Sequence, residues 1–254
     1  MTISYFAPRT AAERYVKGRP YVHPAIAARV MQMLGVQHLR RVLDVGCGTG
    51  QSTRAIAEYA DEAVGVDNAE EMLHCAEPAP NVEYRLGSAE ALPVGDAQFE
   101  LLTAGLAFHW FDQERFLVEA SRVLEPHGWL AIYNSGFTGK LPEVTDFEAW
   151  FRGSYLNRYP APARNRHVLD PAQYVAWGFE LIASSPLETK VSMDQEQFIS
   201  FLLTQSNVIS AVEFGKETID QAAAWIADSV QPAFREQARQ VPFSVDIRIL
   251  RRTR

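Results

Sequence analysis

Cysteine is nearly absent from this 254-residue chain: Cys47 and Cys75 are the only two, and neither belongs to a CxxC pair or to a histidine cluster at zinc spacing. A chain of this length does not depend on disulfide staples, so free thiols and no structural metal are expected. Long apolar runs are lacking as well. Nothing approaches the roughly 18 to 20 apolar residues that span a bilayer, and the opening MTISYFAPRT has no apolar signal core, so the reading is a cytoplasmic protein with no membrane partner. Positive charge is in deficit. A formal net charge of −7 repels polyanions, and the one basic run, Arg248 to Arg254, reads as a strand end and solvated tail, which argues against nucleic acid as a partner. Internal repeats and low-complexity tracts are missing too.

What is present is an ordinary globular composition, 47% apolar and 22% charged, long enough to bury a full α/β core. From residue 41 short apolar runs alternate with helical segments, the pattern of βα units in a parallel sheet. Arg41 to Val45, Ala63 to Asp67, Val82 to Leu86, Phe99 to Gly105 and Trp129 to Asn134 read as strands. Gln51 to Tyr59, Ala69 to Ala76 and Asp112 to Leu124 read as helices, the last stopped by Glu125-Pro126-His127-Gly128. Ahead of them, Ala25 to Leu34 reads as a helix behind a segment holding Tyr15, Arg19 and Tyr21, a lid or brace. Phe137 to Pro171, rich in proline and aromatics, reads as an inserted, partly helical segment suited to acceptor specificity. Strand-like Phe179 to Val191, helices from Asp194 to about Ser206 and from Glu217 to Val230, and the alternation Phe243, Val245, Ile247, Ile249 complete the chain. The division expected is an N-terminal lid or brace over 1–38, a cofactor-binding core over 39–136, the insertion over 137–178 and the closing strands and helices over 179–254.

The informative stretch is Val42-Leu43-Asp44-Val45-Gly46-Cys47-Gly48-Thr49-Gly50, an apolar strand that breaks into a glycine-rich turn before a helix. Such a turn lets backbone approach a ligand where a Cβ would block both positive φ and a bulky group. A P-loop would end in Gly-Lys-Ser/Thr, whereas Gly50-Gln51-Ser52 has no lysine, and a dinucleotide fingerprint would need glycine or alanine where Gln51 stands. A merely tight turn leaves Asp44 unexplained, because a carboxylate inside an apolar strand needs a partner.

The run LDVGCGTG resembles motif I of class I methyltransferases that bind S-adenosylmethionine. That resemblance implies a Rossmann-like three-layer sandwich with a mostly parallel seven-stranded sheet and an antiparallel C-terminal strand. It implies S-adenosylmethionine as cofactor, with Asp44 engaging its amino acid end directly or through water and Gly46, Gly48 and Gly50 packing against its adenosyl portion. Asp67 ends the next strand, where one carboxylate can accept both ribose hydroxyls; its plainer reading is a helix N-cap, a role Asn68 fills equally well. Gly87-Ser88-Ala89-Glu90 is similar to the family's adenine-side loop, so Ser88 and Ala89 border the adenine. Many relatives carry aspartate where Ser88 stands, and Glu90 can take over its contact. Asn68, Met72 and Ala104 complete the cofactor set implied. The resemblance covers about residues 40 to 135.

The stretch Thr103 to Asp112 leaves the fourth strand at the carboxyl edge, where open α/β sheets bind ligands. It lacks the Asn/Asp-Pro-Pro-Tyr/Phe loop used for adenine or glutamine amides. Its Phe108-His109-Trp110, like Tyr15 with Arg19-Pro20 upstream, resembles a small-molecule branch that includes the trans-aconitate methyltransferases, which implies a small acceptor methylated on a carboxylate or hydroxyl oxygen. His109 suits general-base work near neutral pH, or a structural role. Tyr15, Arg19, Tyr21 and Trp110 are the acceptor-side residues expected. A carboxylate acceptor would need only cations, Arg19 or an arginine of the 152–166 segment. A nicotinamide-dependent oxidoreductase and a non-catalytic protein that keeps the cofactor fold as a sensor remain the alternatives.

Overall fold

The computed structural model describes residues 9–162 and 170–253. Seven strands form one sheet: β1 Leu39–Val45, β2 Ala60–Asp67, β3 Val82–Leu86, β4 Phe99–Gly105, β5 Leu124–Phe137, β6 Phe179–Met193 and β7 Arg239–Arg252, in the order β3-β2-β1-β4-β5-β7-β6. The pairs β1–β2, β2–β3, β1–β4 and β4–β5 are parallel; the sheet as a whole is mostly parallel with one antiparallel strand, a Rossmann-like α/β architecture. β4 and the second half of β1, from Val42 on, are buried almost throughout, as central parallel strands covered on both faces must be. Strand order reverses between β1 and β4, so the crevice beyond their carboxyl ends is the topological switch point of the sheet.

Eleven α-helices are described: α1 Arg9–Gly18, α2 His23–Leu34, α3 Gln51–Ala57, α4 Glu70–His74, α5 Gln113–Val123, α6 Phe147–Trp150, α7 Leu156–Arg158, α8 Pro171–Val175, α9 Gln195–Leu203, α10 Ser206–Glu213 and α11 Ile219–Phe234. Local chemistry sets several of their ends. Pro24 stands in the first turn of α2, and Gly35 closes that helix in the left-handed conformation at φ 69°. Asp112 caps α5, and capping boxes open α8, α9 and α11. Three expectations are corrected here. The helix read to Ser206 stops at Leu203 and a separate helix, α10, follows. α4 is shorter than the stretch read from Ala69 to Ala76. The residues 125–128 read only as a helix stop already belong to β5, with His127 at φ 64° and a register shift opposite Phe99 and Leu101, an irregularity that carries the chain from helix into strand.

The chain divides into two compact units. The unit comprising the described parts of Tyr21–Ser135, Arg164–Leu187 and Val245–Arg254 holds the first four strands and is cored by Leu43, Val45, Val64, Val66, Phe99, Leu102, Phe116, Leu117 and Leu250. The other unit comprises the described parts of Met1–Pro20, Gly136–Ala163 and Glu188–Ser244. Aromatic rings core it: Phe137 lies 5.1 Å from Phe151 and 5.5 Å from Phe198 between ring centroids, both near edge-to-face. There α1 packs on α9, with Ala12 fully buried and Gly18 so close that a Cβ would stand 2.4 Å from the Ser200 carbonyl oxygen.

Candidate cofactor site

The glycine turn begins where β1 ends. Gly46 and Cys47 donate their backbone N–H groups to the Val66 carbonyl at 2.8 and 3.1 Å, stitching the turn to β2, and α3 starts at Gln51. Gly46, Gly48 and Gly50 all have positive φ. The three are not equivalent. A Cβ on Gly46 would stand 2.3 Å from the Ala107 methyl and one on Gly50 2.1 Å from the Tyr84 hydroxyl, so protein packing demands glycine at both. A Cβ on Gly48 would find only Met72 Cε, at 3.1 Å. Of the three, Gly48 leaves its near side to something other than protein.

Asp44 has the partners that a buried carboxylate needs. Its Oδ2 accepts from Ser52 Oγ at 2.6 Å and Thr53 Oγ1 at 2.7 Å, and its Oδ1 accepts from Thr103 Oγ1 at 2.6 Å. The side chain is wholly buried; burial pushes its carboxyl above the usual range, and the three hydroxyls oppose that. Asp44 thus ties β1 to the first turn of α3 and to β4. The reading from sequence found the acid but none of these hydroxyls. Ser52 and Thr53, directly after the glycine turn, were a readable signal for it, while Thr103 meets Asp44 only through the register of β1 with β4.

Asp67 is built differently. At the end of β2 its Oδ2 accepts from Gly48 N–H and its Oδ1 from Ala69 N–H, each at 2.8 Å. A carboxylate offers about four lone-pair sites, so acceptor capacity is left for a ligand. Burial raises its pKa against these backbone donors. The helix N-cap is Ala69, without any side-chain cap, so neither Asp67 nor Asn68 fills that role, and Asn68 is exposed. Met72 is buried beside Gly48.

Ser88 donates its hydroxyl to Glu90, whose Oε1 accepts from Asp112 N–H at 2.9 Å; this ties the loop after β3 to the start of α5. Ala89 is buried, and the side chain of Ala104 lies in the hydrophobic core. After Gly105 the chain turns at Leu106 (φ 58°) into a short 3-10 turn, Phe108–Trp110. His109 and Trp110 are half-buried and adjacent, their ring centroids 4.8 Å apart. Tyr21 stands over Arg54 of α3 at 5.7 Å. Tyr15 and Arg19 belong to the aromatic unit, where the Arg19 guanidinium lies 4.8 Å from the Tyr15 ring centre, and its buried Nε has no hydrogen-bond partner among the described residues. Arg152 and Arg158 are paired with Glu148 and Glu217, while Arg164 and Arg166 lie outside the described residues. Burial, with the Asp44 and Asp67 charges, pushes the thiol of the free Cys47 well up.

A family model described as a methyltransferase domain matches residues 43–132, which run from within β1 to within β5. An uncharacterized methyltransferase of Schizosaccharomyces pombe is 37% identical over 126 residues, covering 49% of this chain and 50% of that protein, so the match spans half of that relative. A solved structure of a proposed type II methyltransferase from Anaeromyxobacter dehalogenans is 26% identical, covers 91% of this chain and 97% of that one, and superposes with a TM-score of 0.73. The phosphoethanolamine N-methyltransferase 2 of Haemonchus contortus, solved with S-adenosyl-L-methionine, shares the fold at 17% identity and a TM-score of 0.53 over 96% of this chain and 60% of that one. The matched stretch holds the switch point, the glycine turn, Asp44 and Asp67. No helix among the described residues is long and apolar enough to cross a membrane.

Proposed function

We propose that the protein is an S-adenosylmethionine-dependent methyltransferase acting on an oxygen of a small molecule. The observation that carries this reading is Asp67: a carboxylate at the switch point, fixed by Gly48 N–H and standing at the end of β2, where ribose hydroxyls can donate to it. The open side of Gly48 supports the same fit. When bound, S-adenosylmethionine supplies a methyl already activated by its sulfonium, which an acceptor oxygen takes by in-line displacement. The protein's work is then placement. Asp67 holds the ribose, Gly48 admits the adenosyl group, and Ser88 and Ala89 border the adenine. Asp44, its oxygens taken by three hydroxyls, keeps the turn in shape. A carboxylate acceptor needs only a cation. A hydroxyl acceptor needs a base, for which His109 is the residue singled out by the sequence.

Calorimetric titration with S-adenosylhomocysteine and, separately, with NADH tests the reading. Saturable binding of the first and none of the second is expected; the reverse would establish an oxidoreductase. Binding without turnover of any acceptor would establish a non-catalytic sensor.

A further inference from the structure

His23 is buried and aromatic-lined, and neither the glycine turn nor Asp67 uses it. It opens α2, and its Nδ1 lies 3.2 Å from the hydroxyl of Tyr133, itself buried in β5. Tyr133 pairs in register with Gly105, the last residue of β4, and a Cβ on Gly105 would stand 2.3 Å from the Tyr133 Cζ and Oη. Only a glycine at that strand end lets the phenol lie across it. The phenol oxygen therefore sits at the carboxyl end of β4, one of the two strands that form the switch point. Among the described residues Tyr21 is a further titratable ring beside it, its centroid 6.4 Å from that of His23.

On the methyltransferase reading above, we propose that Tyr133 and His23 form the proton-accepting pair for a hydroxyl-bearing acceptor, with Tyr133 as the group that touches it and His23 as the residue that positions and reprotonates through Tyr133. The acceptor hydroxyl donates its hydrogen bond to Tyr133 Oη, and Tyr133 donates its own to Nδ1 of His23, which carries its hydrogen on Nε2. As the acceptor oxygen bonds to the methyl carbon, its proton passes to Oη and the phenol proton passes to Nδ1, leaving an imidazolium. The methyl–sulfur bond electrons stay on sulfur, so S-adenosylhomocysteine leaves neutral at that atom and the charge is carried by His23. The acceptor class is thereby a phenol or alcohol, not a carboxylate.

Two measurements on the full chain test this. Long-range proton–nitrogen NMR with S-adenosylhomocysteine present, the His23 ring assigned by its loss in His23→Gln, should show the Nε2–H tautomer; the Nδ1–H tautomer overturns the proposal, because Tyr133 could then pass no proton to it. In turnover with S-adenosylmethionine, catechol and benzyl alcohol serve as hydroxyl probes and benzoate as the carboxylate probe. Tyr133→Phe, which removes one oxygen from an otherwise isosteric ring, should lower kcat on the hydroxyl probes about 100-fold with the affinity for S-adenosylhomocysteine unchanged. Full turnover by this variant, or wild-type turnover confined to benzoate, overturns the pair. Failure of the wild-type protein to bind S-adenosylhomocysteine overturns instead the methyltransferase reading, and the tautomer still decides what the pair is.

Discussion

Asp44 and Asp67 show how carboxylates of two neighbouring strands acquire separate jobs. Asp44 accepts from three hydroxyls and is wholly buried, so it acts on the shape of the turn. Asp67 accepts from backbone N–H groups, Gly48 and Ala69 among them, and keeps acceptor room for a ligand. Asp67→Ala is expected to weaken S-adenosylhomocysteine binding by about 1.5 to 3 kcal/mol, the loss of a charged acceptor for buried hydroxyls. Calorimetry decides, and an unchanged dissociation constant in a folded variant would remove Asp67 from the site. The raised pKa of Asp67 gives the pH dependence its sign. Ribose hydroxyls donate to the ionised form, so affinity should be flat at neutral pH and fall with acidification through a window lying above the ordinary carboxylate value of about 3.9. For folding the sign is opposite. Below that ordinary value the protonated acid costs nothing, and as pH rises through the raised pKa the full cost of burying the charge appears. Binding measured by calorimetry from neutral pH downward, in wild type and Asp67→Ala, isolates this group: the variant should lose that component of the slope.

Elements were legible in the sequence where periodicity and punctuation agreed. β3 and β4 have the bounds that their apolar runs suggest, and α5 starts after the Asp112 cap. α10 was missed because Gln205, without a capping side chain, separates it from α9 in a single continuous apolar pattern. At the candidate site the glycines and both acids were readable, because backbone strain and a charge in an apolar strand announce themselves locally. Thr103, Tyr84, His23 and Tyr133 were not: each meets its partner across the sheet or between helix and strand, and only the register brings them together. Thr103→Val tests one such link. Removing this hydroxyl deprives a buried carboxylate of one of three donors, and a loss of about 1 to 3 kcal/mol in denaturant-measured stability is expected; no loss would mean that Asp44 is satisfied without β4. The segment read as a lid or brace also belongs to this scale. α1 is packed on α9 with Gly18 against Ser200, the arrangement of a brace, so hydrogen exchange through 10–24 should be equally slow with and without S-adenosylhomocysteine. Ligand-dependent slowing would establish the lid.

For the whole molecule, the consequence of a site built in one compact unit is that ligand should report on stability through that unit's fold. A ligand present at 100 times its dissociation constant adds about 2.7 kcal/mol to a protein that binds it only when folded. At about 2 to 4 °C per kcal/mol for a chain of roughly this size, S-adenosylhomocysteine should raise the melting temperature by about 5 to 11 °C. Gly48→Val separates that gain from the fold itself. Gly48 has φ 55°, which a β-branched side chain adopts only with strain, and its Cβ would enter the side that the protein leaves open apart from Met72. The variant should therefore melt somewhat below wild type, yet its melting temperature should not move when S-adenosylhomocysteine is added. By contrast, valine at Gly46 or Gly50 would collide with Ala107 or Tyr84 and depress the melt before any ligand is present. A Gly48→Val protein that keeps the full ligand-induced shift would show that the glycine turn faces no ligand, and the assignment of the turn to S-adenosylmethionine would fall with it.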